Sequence, residues 1–173
     1  MATAFIAFSS NLGDRLAQFK QAKSFLENFG GIDFVGISEI YETEPFCHFE
    51  KDRGQPLYLN QIMKVETSHT AMGLFLLCKE VECRMGKDTS SVATENGLRR
   101  YFPRRIDLDL LLYEDEVIDS PALQIPHPRF HTRRYDLVPF ASLAPEKIHP
   151  ILNKTIAELL DACEDTCDVQ RYA

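Results

Sequence analysis

"RRIDLDLLLYEDE", residues 104–116, sets two aspartates, Asp107 and Asp109, inside an apolar run with two arginines just ahead of it. The run has the length and the Leu/Ile content of a buried strand. In a strand, residues two apart point to the same side. Asp107 and Asp109 therefore share one face, and Ile106, Leu108, Leu110 and Leu112 are assigned to the other. Two neighbouring carboxylates repel unless a cation lies between them or one takes a proton. D-x-D alone is more often a solvated strand face, so the surrounding sequence decides between an ordinary acidic face and a cation seat.

Upstream of this strand, "KDTSSVATENGLRRYFP" (87–103) has no apolar period and is rich in Ser, Thr and Asn. A long polar stretch inside a compact domain is a candidate lid. Before it, "TAMGLFLLCKEVECRMGK" (70–87) reads as a helix and "YLNQIMKVET" (58–67) as a strand. "IDFVGISEIYET" (32–43) alternates as a strand that Pro45 ends. "LAQFKQAKSFLENFGG" (16–31) places Leu16, Phe19, Ala22, Phe25 or Leu26, and Phe29 at helical spacing, stopped by Gly30 and Gly31. "TAFIAFSS" (3–10) is a further buried strand. Strand, helix, strand, strand, helix, strand is the βαββαβ order, which predicts an α+β fold: an antiparallel sheet with helices on one face. The chain after Pro126 reads as a short helical extension, including "NKTIAELLDAC" (153–163).

A length of 173 residues predicts a single domain over 1–173. Nothing resembles a secretory signal or a membrane span, so a soluble, cytoplasmic protein is expected. Five cysteines, an odd number without a C-x-x-C pair, argue against a disulfide framework and a zinc site. The net charge of −7 argues against general nucleic-acid binding. The arginines nevertheless gather in "LRRYFPRR" (98–105) and "HPRFHTRR" (127–134), a pattern suited to a small polyanion.

Taken with these arginines, the two aspartates suit Mg²⁺, a hard cation that accepts one or two carboxylates and completes its octahedron with water and phosphate oxygens. Guanidinium groups would hold the remaining phosphate oxygens, as phosphoryl transfer requires. No G-x-x-x-x-G-K-[ST] occurs, so a Walker-type nucleotide fold is not supported. Thr43, Tyr58 and Asn60 offer hydrogen bonds and an aromatic face to a flat heterocycle, although strand-edge polars with a core tyrosine are the plainer reading of those residues alone. His127, between Pro126 and Pro128 and followed by Arg129, Arg133 and Arg134, is a candidate phosphate contact.

In order, "AFIAFSSNLGDR", "YETEPF", "YLN", "FPRRIDLDLLLY" and "IPHPRFHTRRYDLVPFASLAP" resemble the 6-hydroxymethyl-7,8-dihydropterin pyrophosphokinase family of folate biosynthesis over nearly the whole chain. The resemblance implies a ferredoxin-like fold and transfer of the β,γ-pyrophosphoryl group of ATP to the pterin hydroxymethyl oxygen, with release of AMP. It implies that Asp107 and Asp109 hold two Mg²⁺ ions and that Arg104 joins them as a catalytic residue. ATP would meet Arg104, His127 and Arg133, with Glu82 and Lys87 near the lid; the pterin would meet Thr43, Pro45, Phe46, Tyr58, Asn60 and Tyr135. ATP and the pterin are the expected partners, and the chain is expected to act as a monomer.

Three positions depart from the family pattern. Ser9 stands where it usually has glycine, Lys87 where it commonly has arginine, and Tyr101 where a tryptophan often covers the pterin. Two other readings compete: a catalytically degenerate nucleotide- or pterin-binding module of the same fold, and an RNA-binding sheet. The intact Asp107, Asp109, Arg104, His127 and Asn60 disfavour the first, and the net charge the second.

Overall fold

The structure, a computed structural model, describes residues 1–45, 54–86, 94–95, 98–99 and 102–173, with 94–95 and 98–99 described by their backbone alone. Strand β1 (Ala2–Ser10) runs through the middle of the sheet and is buried on both faces. That is why it reads as a continuous apolar run instead of an alternating one. Helix α1 (Arg15–Asn28) starts where the Asp14 carboxylate accepts the Ala17 N–H at 3.0 Å, and it buries Phe19, Ala22 and Leu26. It stops at Gly30 and Gly31, both at positive φ, a conformation that carries no steric cost for glycine.

The segment expected as one strand over 32–43 is two. Strand β2 (Ile32–Ile37) and strand β3 (Tyr41–Thr43) both pair antiparallel with strand β4 (Tyr58–Thr67), and Ser38 fills the gap between them. Its N–H donates to the Ile62 carbonyl, its hydroxyl accepts the Ile62 N–H, and its carbonyl accepts from the Gln61 side chain, each at 2.8–2.9 Å. One side chain thus replaces a missing rung of the ladder.

Helix α2 (Ala71–Arg84) is capped by Thr70 and lies beside α1. In the expected lid, β5 (Thr94–Glu95) and β6 (Leu98–Arg99) pair as a small hairpin, so the stretch is not wholly irregular. The rest of it up to Tyr101, including Lys87 and Arg100, lies outside the described residues.

Strand β7 (Asp107–Tyr113) pairs with β1 and ends the sheet path. The expected face assignment holds for Leu108 and Leu110 and fails at Leu112. Ile6 pairs with Leu110 and Phe5 with Leu112, so Leu111 is an extra, bulged residue. Beyond the bulge the faces exchange, and Leu112 packs with Leu111 on the opposite side of the sheet from Leu108 and Leu110. A hairpin of β8 (Ile118–Asp119) and β9 (Gln124–Ile125) follows, and the His127 N–H donates to the Leu111 carbonyl at 2.9 Å. The bulge therefore anchors the segment that carries His127.

The extension then covers the sheet's second face. A 3-10 turn over Phe130–Thr132 leads into α3 (Arg134–Leu143), and α4 (Ile156–Asp161) starts from a Thr155/Glu158 capping box. Phe130, Leu137, Phe140, Ile156 and Leu159 pack there against Phe5, Ala7, Ile62, Leu111 and Leu112. The other core joins α1 and α2 to Ile6, Phe8, Leu59, Leu108 and Leu110, so both helices of the βαββαβ unit lie on one face as expected. The extension also contains a strand the sequence did not disclose: β10 (Val169–Arg171) pairs antiparallel with β3. The sheet order is β10-β3-β4-β1-β7, with β2 also on β4. Among the described residues no helix is long and apolar enough to cross a membrane, and Cys78, Cys83, Cys163 and Cys167 are free thiols.

Candidate active site

Where β7, β4 and the 126–135 segment converge, a pocket of about 240 Å³ opens over the Asp107/Asp109 face. Asp107 pairs in register with Ser9, and Asp109 with Ala7, so both carboxylates stand on the face that the extension covers further along the sheet. The preceding loop is held by buried Asn11: its side-chain carbonyl accepts the Arg104 N–H at 2.8 Å, its own N–H donates to the Arg104 carbonyl, and its amide group donates to the Pro56 carbonyl. Arg104, thus fixed, donates to Asp107 Oδ2 at 2.6 Å. Burial opposes its charge, but Asp107, Tyr58 and Asp109 outweigh it and hold the guanidinium above its ordinary pKa.

Asp109 occupies the centre of a basic ring. His127 Nε2 lies 3.9 Å from it, and Arg133 Nη1 and Lys79 Nζ each 4.0 Å. These separations exceed direct hydrogen bonds. The carboxylate is flanked by the Arg133 and Lys79 cations and by the His127 ring without being capped by any of them. The His127 Nδ1 accepts the Arg129 N–H at 3.3 Å, so in the neutral ring the proton resides on Nε2, the atom facing Asp109. Burial pushes the imidazole down to about 4, with Arg133 and Arg129 acting in the same direction and Asp109 against them. His127 is therefore a neutral N–H donor at physiological pH.

Arg133 is carried at the start of α3, where Asp165 accepts the Arg134 N–H at 2.9 Å. Its guanidinium sits 5.5 Å from the Tyr135 ring centre and 3.5 Å from Asp136. Asp136 is buried, and burial lifts its carboxyl to about 7 against the pull of Arg133.

The other end of the pocket is polar. Ser9 Oγ donates to Asn60 Oδ1 and Asn60 Nδ2 donates to Thr43 Oγ1, both at 2.8 Å, a relay across β1, β4 and β3. An amide carries two lone pairs and two N–H groups, so the relay leaves Asn60 one acceptor and one donor for a ligand. Tyr58 and Tyr135 line the same cavity. A second depression, walled by Phe75, Leu110, Leu123 and Pro128, shares Asp109 and His127 with the first.

The fold thus brings Thr43, Tyr58, Asn60, Arg104, Asp107, Asp109, His127, Arg133 and Tyr135 around one cavity. Pro45 lies just beyond Glu44, which lines the wall where Pro45 does not; Phe46 and Lys87 fall outside the described residues. Glu82 is buried beneath the pocket, accepting from Lys79 Nζ at 2.9 Å and the Leu108 N–H at 2.6 Å. Lys79, Asp136 and Ser9 line the pocket without having been singled out as site residues in the sequence. Lys79 and Asp136 form i,i+3 pairs with Glu82 and Arg133, which in a sequence look like ordinary helix-surface pairs.

Asp107 and Asp109 present hard oxygen donors from one strand face, and no cluster of three or more His, Cys, Asp or Glu side chains builds a closed metal cage among the described residues. Two carboxylates with space above them fit Mg²⁺, which keeps positions for water and phosphate oxygens. The set does not fit zinc, which takes four close ligands in structural sites.

Residues 5–145 match the sequence profile described as 7,8-dihydro-6-hydroxymethylpterin-pyrophosphokinase (HPPK). The chain is 35% identical over 158 residues to the 2-amino-4-hydroxy-6-hydroxymethyldihydropteridine pyrophosphokinase of Aquifex aeolicus, covering 91% of this chain and 90% of that protein. It is 37% identical over 158 residues to the folic acid synthesis protein fol1 of Schizosaccharomyces pombe, of which it spans only 20%. Among solved structures, HPPK-DHPS of Plasmodium falciparum with pteroate superposes with a TM-score of 0.68 at 16% identity, over 93% of this chain and 42% of that one. At that identity the superposition speaks for the fold alone.

Proposed function

This chain belongs to the 7,8-dihydro-6-hydroxymethylpterin-pyrophosphokinase family, and from that premise we propose that it transfers pyrophosphate from ATP to the hydroxymethyl group of 6-hydroxymethyl-7,8-dihydropterin, releasing AMP. The observation that carries the reading is the convergence of the Asp107/Asp109 pair, ringed by Arg104, His127, Arg133 and Lys79, with the Asn60 relay and two tyrosines in one cavity. One end suits a polyphosphate, and the other a planar heterocycle with an amide-like edge.

Asp107 and Asp109 would hold the metal, with two Mg²⁺ ions as the proposed complement. When bound, Mg²⁺ supplies charge neutralisation at the phosphates and a lowered pKa for the attacking hydroxyl. The protein's own groups do the remaining work. Asn60 and Thr43 orient the pterin edge, and Tyr58 and Tyr135 confine its faces. Its hydroxymethyl oxygen is directed at the β-phosphorus, where a new O–P bond forms as the bond from that phosphorus to the α,β-bridging oxygen breaks and its electron pair leaves with AMP. Arg133 and the His127 Nε2–H stabilise charge on the transferring group, and Arg104, already paired with Asp107, contacts it from the β7 side. The hydroxyl proton passes to water or to the departing AMP phosphate, with His127 serving only as an N–H donor. The second depression, which shares Asp109 and His127, is the proposed seat of the nucleoside.

The reading is tested by incubating the protein with Mg-ATP, with and without the pterin, and separating the nucleotides. Pterin-dependent AMP is expected. ADP, or AMP formed equally without pterin, would contradict it.

A further inference from the structure

Leu108 sits between the two aspartates, on the strand that ends the sheet path. On that outer edge, among the described residues, no neighbouring strand pairs with its backbone groups. Both are instead taken by α2: the Leu108 N–H donates to Glu82 Oε1 at 2.6 Å, and the Leu108 carbonyl accepts from Lys79 Nζ at 3.0 Å. Lys79 Nζ also donates to Glu82 Oε1 at 2.9 Å, closing a three-membered circuit of charge-assisted hydrogen bonds. Glu82 is 1% exposed, so this contact is made in a low-dielectric interior where it is strong. Lys79 alone of the pair reaches round the strand to the pocket, 4.0 Å from Asp109.

We infer that Lys79 and Glu82 are positioning residues: they clamp the Leu108 peptide groups and so fix the orientation of the flanking Asp107 and Asp109 carboxylates toward Mg²⁺. The inference rests on the reading of those aspartates as a metal seat. The two side chains of a strand residue's neighbours follow its peptide planes, since the intervening φ and ψ are the only soft torsions between them. A strand edge without such a clamp would let those planes rock. Glu82 lies outside the pocket wall and acts through the backbone, whereas Lys79 adds a positive charge beside Asp109.

The test is the Mg²⁺ concentration that half-saturates binding of α,β-methylene-ATP, measured by calorimetry on Glu82→Gln, Lys79→Met, the double variant and Asp109→Ala. Glu82→Gln and Lys79→Met are each expected to raise it about 10- to 100-fold, the usual cost of removing support behind a metal ligand. Excess Mg²⁺ should restore binding, and pterin affinity without nucleotide should stay at the wild-type value. The double variant should lose less than the product of the singles, because the two residues act as one unit. A wild-type Mg²⁺ dependence in folded Glu82→Gln would overturn the clamp, even with Lys79→Met impaired, since Lys79 would then be a plain phosphate contact. If Glu82→Gln does not fold, hydrogen exchange of the Leu108 amide in Lys79→Met decides: faster exchange with raised Mg²⁺ half-saturation supports the clamp, and unchanged exchange overturns it. Asp109→Ala separates the two levels. If it alone is impaired, the clamp is wrong and the seat right; if it keeps the wild-type Mg²⁺ dependence, the seat itself is wrong.

Discussion

Asn60 shows how one residue serves both fold and site. It sits near the start of β4, 3% exposed, with its amide already committed to Ser9 on one side and Thr43 on the other. Asn60→Ala should raise the pterin KM about 10- to 100-fold, since each lost hydrogen bond in a buried polar network costs about 1–3 kcal/mol. The KM for ATP should stay near wild type; equal losses for both substrates would show that the relay is not a pterin contact. Ser9 supplies the first link of that relay, its hydroxyl donating to Asn60 Oδ1. Asp136 gives a pH signature. Its carboxyl, raised by burial from 3.8 to about 7, keeps a proton in the folded state that the unfolded chain releases at lower pH. Wild type should therefore lose stability, relative to Asp136→Asn, as pH rises from about 4 to about 7. Melting curves at pH 5, 6 and 7 check this, and parallel trends for the two proteins would contradict it. Asp107, Asp109, Arg104 and His127 were legible in the sequence because each lies in a short motif whose spacing has chemical meaning. Lys79 and Asp136 were not, because their relation to Asp109 exists only after α2 and α3 pack on the sheet.

At the scale of elements, β1, β4, α1 and α2 follow from apolar period and end signals alone. Two irregularities do not. Both the break at Ser38 and the bulge at Leu111 are made by hydrogen bonds to strands distant in sequence, and local propensity carries no trace of them. Ser38→Ala tests the first. It leaves the buried Ile62 N–H without an acceptor, so unfolding by urea should show a loss of about 1–3 kcal/mol with an unchanged slope. A neutral substitution would mean that the strand closes the gap without the hydroxyl. The second irregularity bears on function: the Leu111 carbonyl freed by the bulge receives the His127 N–H, which brings a residue from beyond the β8–β9 hairpin to within 3.9 Å of Asp109. A regular β7 would have kept Leu112 on the face of Leu108 and Leu110, away from Phe130 and Phe140.

The whole molecule places the site where neither core could hold it alone. The α1/α2 core fixes the strands that carry Asp107, Asp109 and Asn60, and the extension's core fixes the arm that carries His127, Arg133 and Tyr135. Strand β10 then joins the extension back to β3 beside Thr43, with Arg15 salt-bridged to Glu42 at 2.6 Å and lying over Tyr172. The βαββαβ plan was legible from element order, whereas the extension's place on the second face was not, because short helices of low periodicity do not say which surface they cover. The acidic net charge of −7 is likewise no guide to a pocket ringed by Arg104, Arg133 and Lys79. The most direct measurement is Mg²⁺-dependent, pterin-dependent AMP formation by Asp109→Ala, with pterin binding and the melting temperature as controls. Loss of about a thousandfold in turnover, the equivalent of about 4 kcal/mol of transition-state stabilisation, with pterin binding and fold retained, is the expected result. Near-normal turnover in that folded variant would contradict the assignment of Asp107 and Asp109 as the metal seat.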